Sequence, residues 1–238
     1  MNPGHPLGYR ADVDGLRAYA VLLVVFFHLN VPYFNGGFVG VDIFFVISGF
    51  LITDLILREV QTTGSFSFRY FYRRRFWRLF PALFVTVCFT AAGAILLFSP
   101  AHLERLGGAV IHLFAGVSNI YFWTGADYFD VGADVKPLLH TWSLSVEEQF
   151  YAIWPCLLVF VFLTNRKAVP WVLISLFGFS LALNGLFADG KTALTGTLED
   201  TQATLFFWLP FRAYEFAIGG LLVFVVQLNN KQWRCIAS

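Results

Sequence analysis

Runs of apolar residues long enough to cross a lipid bilayer recur along this sequence, and nothing else restricts its fold as much. The hydrocarbon layer of a bilayer is about 30 Å thick and holds no water for backbone N–H and C=O groups. A crossing segment must therefore close its own hydrogen bonds, which a helix does with about 20 consecutive residues. Windows of that kind run from Leu16 to Phe34, Phe38 to Leu57, Leu79 to Phe98, Trp142 to Leu163, Val169 to Ala188 and Phe206 to Leu228. A shorter, more polar window, Gly108 to Trp123, contains His112, Ser118 and Asn119. No stretch alternates apolar and polar residues between turn signals, which argues against an outer-membrane barrel. The predicted fold is all-α, a polytopic transmembrane bundle of six to seven segments.

Composition agrees with that reading. Of 238 residues, 58% are hydrophobic and only 13% charged, against about 45–50% and 25% in soluble domains. The 29 phenylalanines suit lipid-facing and interhelical surfaces. A net charge of +1 points neither to nucleic acid nor to an acidic substrate. Cys88, Cys156 and Cys235 are far apart and form no CxxC or Cys/His metal spacing, so they read as buried small hydrophobes or a tail thiol. The polar start, MNPGHPLGYRADVDG, lacks the pattern of a cleaved signal, so the first apolar run reads as a retained span.

Loop charges set the expected orientation. Residues 58–78 hold Arg58, Arg69, Arg73, Arg74, Arg75 and Arg78 against one Glu59, which assigns that loop, and with it the N-terminus, to the cytoplasm. Arg166 with Lys167, and Lys231 with Arg234, mark further inside segments, while the acidic stretches 127–134 and 189–200 fall outside. On this assignment Gly108 to Trp123 does not cross and is re-entrant or interfacial; the competing account makes it a full crossing and places the acidic loop inside.

Five groups of residues could carry chemistry. Arg17 and His28 are eleven residues apart, three helical turns with about 20° left over, so they share a face roughly 16 Å apart. Arg17 at the inner membrane edge is open to snorkelling. His28 falls near mid-membrane within Leu16 to Phe34, where snorkelling does not serve it. An imidazole there is either a general base or a satisfied histidine bonded to a neighbouring carbonyl. In GGFVGVDIFFVISGFLIT, Asp42 is a carboxylate inside an apolar run, either paired with a buried cation such as His28 or wetted at the outer edge. Gly36, Gly37, Gly40 and Gly49 around it permit close helix approach. Arg75 and Arg78, three apart at a helix start, share a face and suit phosphate, although positive-inside topology explains them as well. In HTWSLSVEEQFYAIWP, Glu147 and Glu148 point about 100° apart, so both cannot face one partner: either one faces the bundle and the other the water boundary, or both are acids near the N-terminus of an interfacial helix start. Arg212 and Glu215 in LPFRAYEFAIGG have the spacing of an i, i+3 ion pair and read as structural. There is no Walker loop, GxGxxG, HExxH or GxSxG motif, which removes P-loop, Rossmann, zincin and nucleophile-elbow chemistry.

The blocks YRADVDGLRAYAVLLVVFFH, GGFVGVDIFFVISGFLIT, FYRRRFWRLFPAL, KPLLHTWSLSVEEQFYAIWP and LPFRAYEFAIGG, in this order, resemble the acyltransferase-3 family. That family includes bacterial O-antigen acetylases and peptidoglycan and surface-polysaccharide O-acyltransferases. The resemblance implies a bacterial inner-membrane enzyme with a cytoplasmic N-terminus. It would move an acyl group, acetyl above all, from cytoplasmic acyl-CoA to a hydroxyl of an envelope glycan, with no metal. The family's Arg-x10-His signature falls on Arg17 and His28, and its R-x-x-R motif on Arg75 and Arg78, implying a grip on the phosphates of CoA. Asp42, Glu147 and Glu148 match shared positions and join His28 and Arg17 as candidate catalytic residues. Members usually have about ten spans, and many then carry an outer SGNH-type domain. Residues 1–238 are thus expected to form the N-terminal part of such a domain, with the later helices absent. The expected partners are the bilayer, acyl-CoA and a glycan. Two other readings of the same residues are a proton-coupled transporter, in which His28, Asp42 and the glutamates form a relay, and an inactive truncated fragment.

Overall fold

The protein is described from a computed structural model over residues 11–125, 136–188 and 201–229. Arg10, both acidic stretches, Cys235 and the inside tail with Lys231 and Arg234 lie outside the described residues. Among the described residues every regular element is helical: α1 (Ala11–His28), α2 (Val39–Thr63), α3 (Phe68–Leu97), α4 (Pro100–Phe114), α5 (Ser118–Thr124), α6 (Thr141–Thr164), a 3₁₀ turn (Arg166–Ala168), α7 (Val169–Phe187), α8 (Thr201–Phe207) and α9 (Leu209–Asn229). Five of these segments are long and apolar enough to span a membrane: α2, α3, α6, Arg166–Phe187 and Thr201–Val226. The 18 residues of α1, about 27 Å of helix, carry Asp12, Asp14 and Arg17 near their start. The protein is a multi-pass helical membrane protein.

Helix ends depart from the apolar windows for local reasons. The first window, Leu16 to Phe34, is cut at His28 because Asn30 adopts a left-handed conformation, φ 53°. The Val31 N–H then bonds the Phe26 carbonyl and the Asn30 N–H bonds that of Phe27, the paired closure of a Schellman motif. Pro32 follows and cannot resume the helix. The basic stretch 58–78 is mostly helix rather than loop, since α2 runs on to Thr63 and α3 begins at Phe68. Gly64, at φ 73°, turns the chain between them.

The Gly108 to Trp123 window is broken in the same way. Gly116, at φ 71°, lets the Val117 N–H reach the His112 carbonyl and its own N–H reach that of Leu113. What remains is 15 residues of α4 and 7 of α5, about 22 and 10 Å of helix. Neither reaches across about 30 Å of hydrocarbon.

The chain gathers into two compact units. The first holds α1, α2, the C-terminal part of α6, most of α7 and α9. Here α2 runs between two neighbours at backbone distance. Gly37 and Gly40 leave no room for a Cβ against Leu23, Phe27, Ala20 and Val24 of α1. Gly49 abuts the Phe216 backbone of α9, and Gly219 of α9 abuts the Val46 carbonyl. Phe45 stacks on Phe216 with ring centroids 4.8 Å apart. The second unit holds α3, α4, α5, the N-terminal part of α6 and α8. Buried hydroxyls knit it together. Ser118 Oγ donates to the Thr141 carbonyl at 3.0 Å and lies 2.8 Å from Ser145 Oγ. Asn119, 1% exposed, donates to the Phe207 carbonyl and accepts from Gln149.

Pairing along α2 and α9 also fixes how often the chain crosses. Contacts advance together, with 42 against 212, 45 against 216 and 46 against 219, so the two helices are parallel. Parallel helices in one chain need an odd number of crossings between them. The helices α3, α6 and α7 supply three, and a crossing by α4–α5 would make four and reverse α9. With α3, α6 and α7 as the intervening crossings, we expect the segment from Pro100 to Thr124 to return to the side it came from. We expect single cysteines at Ser99 and His140, in a chain with Cys88, Cys156 and Cys235 replaced by Ala, to react with a membrane-impermeant maleimide from the same side. Labelling from opposite sides would contradict the parallel packing.

Candidate functional site

Arg17 and His28 both lie on α1, as their spacing predicts. His28 is the last residue of that helix and is exposed, not midway along it, because the Asn30 closure ends the helix there. Its Nδ1 lies 2.8 Å from the Val24 carbonyl. A carbonyl only accepts, so Nδ1 donates to it, and in the neutral ring the lone pair then lies on Nε2. Arg17 is half-buried, with Nη1 4.0 Å from Asp14, a loose pair on one helix. Both residues lie on a helix with only two buried positions, Val13 and Ala20.

Asp42 does not pair with His28. Its partner is Arg212 of α9, 170 residues away in sequence, at 3.0 Å from Nη1 to Oδ1. The same Nη1 donates to Glu215 Oε1 at 2.9 Å, so the predicted Arg212–Glu215 pair is present and Asp42 joins it. Glu215 is 2% exposed, Arg212 14% and Asp42 30%. Beside this cluster a hydroxyl of α7 joins the first turn of α9 through two hydrogen bonds. Ser180 Oγ of α7 donates to the Pro210 carbonyl at 2.7 Å and accepts from the Tyr214 N–H at 3.1 Å. Those two backbone groups are i and i+4, so the hydroxyl is spliced into the first helical turn on either side of Arg212.

In the second unit Arg75 and Arg78 share α3 but not an environment. Arg78 is exposed, whereas the half-buried Arg75 guanidinium lies 4.5 Å from the centroid of the Tyr151 ring and 5.8 Å from that of Phe71. The Tyr151 hydroxyl donates to Glu147 Oε1, one turn earlier on α6. Tyr72 Oη donates to the carbonyls of Tyr151 and Ala152 at 3.3 and 3.2 Å. The first of these has no intrahelical donor, because the residue four along is Pro155. Glu147 and Glu148 diverge as their adjacency requires, with Glu148 turned towards Gly116, where an added Cβ would meet Oε2 at 3.4 Å. Each unit thus holds part of the predicted set: Arg17, His28 and Asp42 in the first, Arg75, Arg78, Glu147 and Glu148 in the second.

Several polar residues were passed over by sequence reading. Asp54, 5% exposed, accepts from Arg58 Nε at 2.7 Å. Their i, i+4 spacing inside an apolar run was the available signal. Thr53 takes the Trp154 indole N–H at 2.9 Å. Tyr72 and Tyr151 left no signal short of the structure, since aromatic residues are abundant throughout. Cys88 and Cys156 are exposed rather than buried. Among the described residues, no group of three or more His, Cys, Asp or Glu could hold a metal.

Comparison with known proteins adds a family. The chain matches the model of an acyltransferase domain over residues 10–234. It is 37% identical over 225 residues to a peptidoglycan O-acetyltransferase of Listeria monocytogenes, which covers 93% of this chain and 35% of that protein. It is also 37% identical over 217 residues to an O-acetyltransferase of Staphylococcus aureus, covering 85% of this chain and 35% of the relative. The chain thus spans about a third of the length of these relatives. No solved structure matches it.

The Asp42–Arg212–Glu215 cluster generates a test of what holds the first unit. Replacing Arg212 with Gln leaves two carboxyls without their cation, and we expect a loss on the order of 3 kcal/mol. Thermal unfolding of the protein in lipid nanodiscs should show the lowered midpoint. Adding Asp42→Asn and Glu215→Gln to the same chain should recover most of the loss, because the uncompensated charge is then gone.

Proposed function

We propose a function from the premise that this chain belongs to the acyltransferase family whose domain it matches over residues 10–234. It forms the membrane-embedded part of an O-acyltransferase that takes an acetyl group from cytoplasmic acyl-CoA and delivers it to a hydroxyl of an envelope glycan; the names of its relatives, O-acetyltransferases of which one acts on peptidoglycan, support the O-acetyl transfer. The membrane is the bacterial inner membrane, and the N-terminus is cytoplasmic, on the strength of the arginines in residues 58–78.

The observation that carries this reading is the state of His28. An imidazole whose Nδ1 donates to Val24 presents a basic Nε2 at an exposed helix end. A base within reach of the acceptor hydroxyl takes its proton as the oxygen forms the ester bond and the carbon–sulfur bond of the thioester breaks. The proton then neutralises the departing thiolate, so the products are the ester and free CoA. The same nitrogen can instead attack the thioester, hold the acyl group, and pass it to the hydroxyl. Arg17, roughly 16 Å away along the helix, faces the donor side and stabilises charge there. Arg75 and Arg78 engage the phosphates of CoA, a role that guanidinium groups perform through paired N–H donors. Asp42 acts indirectly by holding Arg212, and Glu148 remains a candidate group in the second unit.

Membranes bearing the protein, supplied with radiolabelled acetyl-CoA and scored for acetylated glycan, test the assignment. A His28→Ala chain should insert normally yet lose acetyl transfer by at least about 100-fold, the scale of a missing general base. Undiminished transfer would show that His28 is not the group that handles the acyl transfer.

A further inference from the structure

We propose that the exposed start of α3 binds an anionic phospholipid, with the headgroup phosphate at Arg69 and Arg73 and an acyl chain along Phe76, Phe80 and Phe84. The 30 residues of α3 make about 45 Å of helix. Its apolar part, residues 79–97, accounts for about 28 Å, close to the thickness of the hydrocarbon layer. Residues 68–78 then extend into the headgroup region. Arg69, Arg73, Arg74 and Arg78 are exposed there. Among the described residues no carboxylate pairs with any of the four.

The side chains of this stretch are ordered as a lipid is. Arg69, Arg73, Phe76, Phe80 and Phe84 recur at i, i+4, i+7, i+11 and i+15, which places them on one stripe of the helix. The rings of Phe76 and Phe80 stack with centroids 4.6 Å apart, and those of Phe80 and Phe84 stack at 5.9 Å. Phe76 and Phe84 are each 51% exposed. Phe114 of α4 flanks the middle ring, with centroids 6.2 Å apart. The stripe begins with two cations and continues as a ladder of rings, as a phosphate is followed by an acyl chain. Exposed Tyr70 and Trp77 border it, and the Arg73 guanidinium lies 5.9 Å from the Tyr70 ring centroid. Tyrosine and tryptophan favour the headgroup level of a bilayer.

Membrane orientation asks only for positive charge beside a span. It does not require that the cations head a stacked ladder of rings. A guanidinium offers paired N–H donors to two oxygens of one phosphate. A zwitterionic headgroup brings its own cation, which these arginines repel, so the lipid that fits is an anionic one. Arg78 lies about 180° around the helix from Arg69. Its assignment to the acyl donor and the lipid stripe therefore stand or fall separately.

The test uses the purified chain in detergent, with bound lipid counted by native mass spectrometry. Arg69→Gln with Arg73→Gln should lower retention of dioleoyl-phosphatidylglycerol on the order of tenfold and leave dioleoyl-phosphatidylcholine unchanged. Phe76→Ala with Phe84→Ala should lower the dioleoyl lipid severalfold and leave dihexanoyl-phosphatidylglycerol, whose chains are too short for the ladder, unchanged. Arg166→Gln with Lys167→Gln removes two exposed basic groups from the turn before α7 and should change nothing. Undiminished phosphatidylglycerol retention in the Arg69/Arg73 variant would overturn the site. An equal loss in the Arg166/Lys167 variant would do so too, since any surface cation would then suffice. If the ring variant treats both chain lengths alike, the ladder holds no acyl chain and the site as proposed fails.

Discussion

One nitrogen atom, Nη1 of Arg212, holds two carboxylates, and the packing of the first unit depends on it. A carboxylate as enclosed as Glu215 costs several kcal/mol to desolvate unless a cation and hydrogen bonds compensate it. Asp42 brings the opposite helix into the same arrangement, so α2 and α9 cannot slide or separate without uncovering charge. The glycines at 49 and 219 are what make the bond reachable. With a Cβ at either place the backbones would stand farther apart, and an arginine on α9 would no longer meet an aspartate on α2 at 3.0 Å. Small residues set the distance and the ion cluster sets the register. The parallel course of the two helices follows from that register, and it in turn constrains how the intervening chain crosses the membrane.

The second unit solves a related problem with neutral groups. Proline in α6 removes one backbone donor, and the carbonyl left behind would be costly in an apolar setting. Tyr72 supplies the missing hydrogen bond from another helix. A defect in one helix therefore specifies where its neighbour docks. The Ser118–Thr141–Ser145 hydroxyls and the Asn119–Gln149 amides do the same for α5, whose seven residues could hardly persist as an isolated helix.

Architecture was legible in the sequence because apolar length is a local signal. Windows of about 20 residues marked α2, α3, α6, α7 and α9 to within a few turns. The Arg17–His28 alignment was legible too, since helical periodicity needs only the spacing. What failed was anything that turned on a partner far along the chain or on a turn read as span. The stop at Asn30 could have been seen, because Asn before a Val-Pro pair is a helix-ending signal, but the apolar run through Phe34 outweighed it. Asp42 was matched to the nearest cation in sequence, His28. Its real partner lies 170 positions on and becomes adjacent only when Gly49 and Gly219 close the helices together. The Arg75–Tyr151 contact was hidden for a similar reason: cation–π partners carry no spacing rule when they sit on different helices.

These placements divide the ionisable residues into two kinds. Asp42, Glu215, Asp54 and Glu147 are each committed to an internal partner, and their charge or hydrogen-bonding capacity is spent on holding helices. His28 and Arg78 are exposed, and His28 uses a bond to its own helix only to select a tautomer. In an apolar environment a committed charge makes a poor reactant, because drawing it into a reaction uncovers its partner. Residues that present a basic nitrogen or a cation without such a commitment are the ones able to meet a ligand. By that criterion the candidate residues separate: His28 and Arg78 stand open to a ligand, and Asp42 belongs to the frame that holds the helices in place.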